Sequence, residues 1–177
     1  MKRVFITFIL ILIFFLLYFL QVNFFSMFTI NGISPNLFII FILCIGLFTN
    51  QFLTLFLSIA FGLILDFSFG TRIGITSIML CIIGYIASYF DQNFSKENRI
   101  TIIIMVAIST FIYEFGYYFL KSSIIGFERE YLFFFRIVVI EIIYNVLLTI
   151  LFYPLIHKVG FIIDRNFKEN NILTRYF

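Results

Sequence analysis

The chain has 177 residues, of which 63% are hydrophobic and 12% charged, with a mean hydropathy of +1.13 and a formal net charge of +3. A soluble domain runs at about 45–50% apolar and about 25% charged, so this composition excludes a water-soluble globule. It leaves one polytopic, all-α membrane domain over residues 1–177, without room for a soluble catalytic module, and it disfavours nucleic-acid binding and secretion.

Val4 to Val22 forms an apolar run of 19 residues behind Lys2 and Arg3. At 1.5 Å per residue it crosses about 28 Å, close to the hydrocarbon thickness. A signal peptide would have a shorter apolar region followed by small residues; here Asn23-Phe24-Phe25-Ser26 follows, so the run is read as an uncleaved first span. Asn31-Gly32 and Ser34-Pro35-Asn36 are turn signals. Two shorter runs come next, Leu37–Phe48 and Phe52–Leu65, split by Thr49-Asn50-Gln51. They make either two spans, 36–49 and 52–69, or a re-entrant hairpin; two spans is the reading adopted. Further spans are expected at 75–90, 100–120 and 131–156, the last interrupted near its end by Pro154. Residues 157–177 mix apolar and charged positions and suit either an interfacial segment on anionic lipid or a solvated tail.

Six spans place both termini on one side. Eight lysines and arginines fall there: Lys2, Arg3, Lys96, Arg99, Lys158, Arg165, Lys168 and Arg175. Three fall opposite, Arg72, Lys121 and Arg129, while Arg136 lies within the last span. The excess puts both termini in the cytoplasm.

Ionisable residues at bilayer depth are costly and mark function. Asp66, Glu114, Arg136 and Glu141 qualify. Glu114 precedes Lys121 by seven residues and Arg136 follows Tyr131 by five, so their heads come to similar depths, about 8–10 Å in. An ion pair between them is the expectation. Glu141, Asn145 and Thr149 recur every four residues, as do Thr110, Glu114 and Tyr118, giving one polar stripe per helix. Ser58, Gly62 and Asp66 form a third stripe, and Ser77, Cys81, Gly84 and Ser88 a small-residue face on the next span. These stripes suit helix packing, a ligand cavity or a docking face. Cys44 and Cys81 both lie in apolar runs and read as packing residues.

Catalytic patterns are not met. A zinc protease needs two histidines a turn apart, and the single His157 stands at a helix end. An aspartyl protease needs two aspartates sharing a proton; a serine nucleophile needs a base. No phosphate-cradling glycine loop is present. No catalytic, metal or cofactor-binding residues are expected.

Phe61-Gly62-Leu63-Ile64-Leu65-Asp66, then Gly70-Thr71-Arg72-Ile73-Gly74-Ile75 and Ile83-Gly84-Tyr85, resemble the rod shape-determining protein MreD family. In that family a glycine stands four residues before an aspartate at the end of an apolar helix, followed by a short glycine-bearing loop and a Gly-Tyr step. Pro35-Asn36-Leu37 at the start of the second span also fits, although Asn36 stands where an Asp is usual and Arg72-Ile73 replaces a more apolar or proline-containing step. The resemblance implies a multi-pass protein of the bacterial inner membrane that associates with the bitopic protein MreC. With MreC, the filament protein MreB, the polymerase RodA and a transpeptidase, such proteins guide lateral peptidoglycan synthesis and cell shape. The other reading is a substrate-binding membrane subunit of a vitamin-type (energy-coupling factor) transporter, its cavity lined by Asp66, Glu114, Arg136 and Glu141.

On the scaffold reading Asp66 anchors the outer loop, capping the Gly70–Gly74 turn. Ser58, Gly62, Ser77, Cys81 and Gly84 serve helix packing, while Glu114, Arg136, Glu141 and Asn145 form the interior polar group.

Overall fold

The computed structural model describes residues 2–69, 73–93, 98–125 and 131–168. They form six helices: α1 (Lys2–Phe19), α2 (Leu37–Phe48), α3 (Gln51–Phe69), α4 (Ile75–Asn93), α5 (Arg99–Ile125) and α6 (Tyr131–Lys168). A π-turn, Leu20–Phe24, prolongs α1. Four of the helices are long and apolar enough to cross a membrane, at Arg3–Phe24, Gln51–Phe69, Arg99–Ser123 and Phe134–Phe167. The apolar stretches of α2 (Leu37–Phe48) and α4 (Ile75–Asp91) are shorter.

α2 forms the axis of the bundle. It carries no charged residue, and eleven of its twelve positions are buried, with Cys44 half-buried. A helix that is hydrophobic all round hides by being surrounded, and α2 touches α1, α3, α4, α5 and α6. Its ends are set by polar chemistry. The Asn36 side chain accepts the Phe38 N–H at 3.2 Å as N-cap. At the other end Thr49 Oγ1 donates to the Ile45 carbonyl and meets Thr54 Oγ1 at 2.9 Å, fastening α2 to the start of α3.

The connection into α2 doubles back. Asn31 (φ 54°) and Gly32 (φ 80°) take the left-handed conformation that a two-residue hairpin turn requires, and Ile30 and Ile33 exchange backbone hydrogen bonds at 3.0 Å around it. Gln21 then clamps the returning chain: its amide donates to the Pro35 carbonyl at 2.6 Å and its oxygen accepts the Leu37 N–H at 3.1 Å. α1 lies outermost. Leu10 and Phe14 are its buried residues, and Phe14 stacks on Phe61 of α3 with ring centroids 4.0 Å apart.

α6 runs on through Pro154, where an interruption is expected from sequence, and takes in residues 157–168 beyond the expected end of the span at 156. Proline removes one backbone donor and clashes with the carbonyl four residues back. Here the helix continues because Tyr153, Gly160 and Phe167, seven residues apart, all face the bundle and are buried. A side chain at Gly160 would strike the Phe48 ring. At this end of the molecule Arg3 Nε donates to the Asn166 carbonyl at 3.3 Å, so the beginning of α1 and the end of α6 meet.

Candidate functional site

Two polar seams run through this apolar bundle. The first joins α3 to α4. Ser58, Gly62 and Asp66 lie buried on one face of α3, opposite Ser77 and Gly84 of α4; Ser88, also buried, stands beside Gly46 of α2, and Cys81 is half-buried. Helices approach this closely only where side chains are small. A Cβ at Gly62 would run into the backbone of Ser77, and one at Gly84 would come within 2.6 Å of Ser58 Oγ. Ser77 Oγ donates across the seam to the Ile59 carbonyl at 3.0 Å.

Asp66 closes this seam. Its Oδ2 accepts the Gly74 N–H at 2.8 Å and the Ser77 N–H at 3.2 Å, and its Oδ1 accepts the Thr76 N–H at 3.1 Å. A carboxylate from one helix thus caps the next, matching its charge to the positive end of the α4 dipole. Gly74 adopts φ 104°, a conformation that favours glycine, and this turns its N–H toward the carboxylate. Gly70 falls outside the described residues.

The second seam joins α2, α5 and α6. Glu141, Asn145 and Thr149 are buried along α6, and Thr110 is buried on α5. Asn145 accepts the Asn36 N–H at 2.9 Å and donates to Thr110 Oγ1 at 3.0 Å. Thr110 donates in turn to the Val106 carbonyl and Thr149 to the Asn145 carbonyl. The carboxyls of Glu114 and Glu141 lie within side-chain hydrogen-bond reach of each other, with the Asn36 side chain beside Glu141. Oε1 of Glu141 is buried and has no hydrogen-bond partner.

The expected Glu114–Arg136 pair is not formed. Arg136 is exposed on α6, whereas Glu141, five residues on, is buried. Five residues of helix turn a side chain through about 140°, so one cannot face α5 while the other does. The depth expectation failed as well, since Glu114 stands beside Glu141, five residues and about 7.5 Å farther along α6 than Arg136. Gln21 was missed because a lone glutamine at the end of an apolar run carries no periodic signal.

Among the described residues no group of three or more His, Cys, Asp and Glu side chains could hold a metal ion. The polar atoms of the second seam are largely spent on one another. An apolar groove of about 340 Å³ lies between α4 and α5, over Met79 and Gly116 and walled by Ile78, Ile82, Phe111 and Phe115.

Residues 1–160 match the family model described as rod shape-determining protein MreD. The chain belongs to the MreD family. No curated protein and no solved structure matches it. The MreD match takes in both polar seams and every helix up to Gly160 of α6. Membership assigns the chain to rod shape determination, in a family of structural membrane proteins, and agrees with helices apolar enough to span a bilayer. The Gly62–Asp66 and Gly74 positions that carry the MreD resemblance are those that fasten α3 to α4.

Proposed function

We propose that this MreD-family chain is a non-catalytic, multi-pass scaffold of the bacterial inner membrane that binds MreC and helps organise lateral peptidoglycan synthesis with MreB, RodA and an elongation transpeptidase. The carrying observation is the closed interior. Asn145 and Thr110 are fully buried and hydrogen-bonded to each other, so these side chains fill the space between α5 and α6 that a ligand cavity would need open. A protein whose interior polar side chains bond mostly to its own helices acts by holding a shape and presenting faces to partner helices.

Six crossings with both termini in the cytoplasm go with this reading. The Arg3–Asn166 contact supports it by bringing the two ends of the described chain together. The eight-to-three excess of basic residues on that side supplies the orientation. α2 and α4 cross as shorter members, with the Gln21 clamp holding the start of α2 below the outer end of α1.

Detergent co-purification of the tagged chain from native membranes, with mass spectrometry of its partners, tests the proposal. Recovery of MreC and the elongation synthases is expected. Recovery of a transporter's energising subunits and ATPases in their place would overturn it.

A further inference from the structure

Two seven-residue repeats run side by side along the end of α6. Tyr153, Gly160 and Phe167 are buried, and this stretch meets the ends of three helices in turn. The Arg99 guanidinium at the start of α5 lies 4.8 Å from the centre of the Tyr153 ring. The Phe48 ring at the end of α2 fills the space beside Gly160. Arg3, at the start of α1, reaches the Asn166 carbonyl. The end of the helix therefore stays packed against the bundle.

Lys158 and Arg165, also seven residues apart, are exposed and lie within about 20° of each other around the helix. Beside them runs an exposed apolar row, Leu151, Leu155 and Ile162. Asp164 lies toward the buried side and already has a partner. An apolar row bordered by cations, at the end of a membrane bundle, fits a monolayer boundary: the row faces acyl chains and the long basic side chains reach the headgroups. A soluble acidic partner would match the charges and leave the row uncovered.

We propose that this face of α6 binds anionic phospholipid headgroups of the adjoining leaflet through Lys158 and Arg165. The site goes beyond the scaffold reading and does not depend on it, since it concerns the isolated protein and lipid alone.

Native mass spectrometry of the purified full chain, exchanged into mixed micelles of phosphatidylglycerol and phosphatidylcholine, tests the proposal. Retained phosphatidylglycerol should exceed phosphatidylcholine by about thirtyfold, about fivefold for each cation. In the double variant Lys158→Gln, Arg165→Gln the two lipids should be retained about equally, while Lys158→Arg, Arg165→Lys keeps the preference. A common circular-dichroism spectrum for the three proteins separates lipid selectivity from misfolding. Equal retention by the wild type, or a preference that survives the Gln variant, would overturn the proposal. Loss of the lipid on adding inorganic phosphate at matched concentration would also overturn it, because the face would then read a soluble anion.

Discussion

Asn145 of α6 accepts the backbone N–H of Asn36 at 2.9 Å across 109 residues of sequence. The same side chain donates to Thr110 of α5 at 3.0 Å. One amide therefore ties the start of the central helix to the last two helices, at a place where water does not compete for its hydrogen bonds.

Replacing Asn145 by Leu should leave the Asn36 N–H without its acceptor. A buried donor stripped of its partner costs about 1–3 kcal/mol, and interhelical hydrogen bonds in membranes are worth about 0.6–2 kcal/mol. A loss of about 2 kcal/mol is expected in reversible unfolding by denaturing detergent, with Asn145→Gln intermediate. Wild-type stability in the Leu variant would mean that the contact contributes nothing.

Asp66 accepts three N–H groups from Gly74 and the first turn of α4. Removing an N-cap costs about 0.5–2 kcal/mol, and this cap is buried and charged, so Asp66→Ala should fall at or above the upper end. Asp66→Asn keeps an acceptor oxygen and should lose less. Hydrogen exchange of the Gly74, Thr76 and Ser77 amides gives the local readout: faster exchange in the Ala variant is expected.

Gly62→Leu places a side chain against the Ser77 backbone. Overpacking typically costs about 1–3 kcal/mol, and more is expected here because backbone cannot rotate aside. The variant should accumulate poorly in membranes. Leu at Gly32, where a Cβ meets nothing within 4 Å, should strain only its positive-φ turn and accumulate better. Equal accumulation of the two variants would contradict the close α3–α4 packing.

A double-mutant cycle on Glu114 and Glu141 should give a coupling of about 0.5–3 kcal/mol, as neighbours in one network do. The same cycle on Glu114 and Arg136 should be additive within about 0.5 kcal/mol. The reverse pattern would restore the ion pair that depth alone suggested.

The apolar runs, their order and their approximate ends were legible in the residues. Asn31-Gly32 announced the turn before α2, and the four-residue spacing of Ser58, Gly62 and Asp66 announced one face of α3. The spacing of Glu141, Asn145 and Thr149 likewise placed them on one stripe. What that stripe faces was not legible. The run past Pro154 was missed because a proline rule speaks only of the backbone, whereas Gly160 and Phe167 hold the helix to the bundle by packing.

By itself the sequence determined that the chain is helical and membrane-embedded, since a composition of 63% hydrophobic residues with 12% charged has no stable arrangement in water. It also determined the phase of each polar stripe, because 3.6 residues per turn is a local property of the backbone. The tertiary structure alone decided which stripes meet. Rotation of each helix about its axis is set by packing against all its neighbours at once, and that turned Glu114 toward Glu141 and left Arg136 outside.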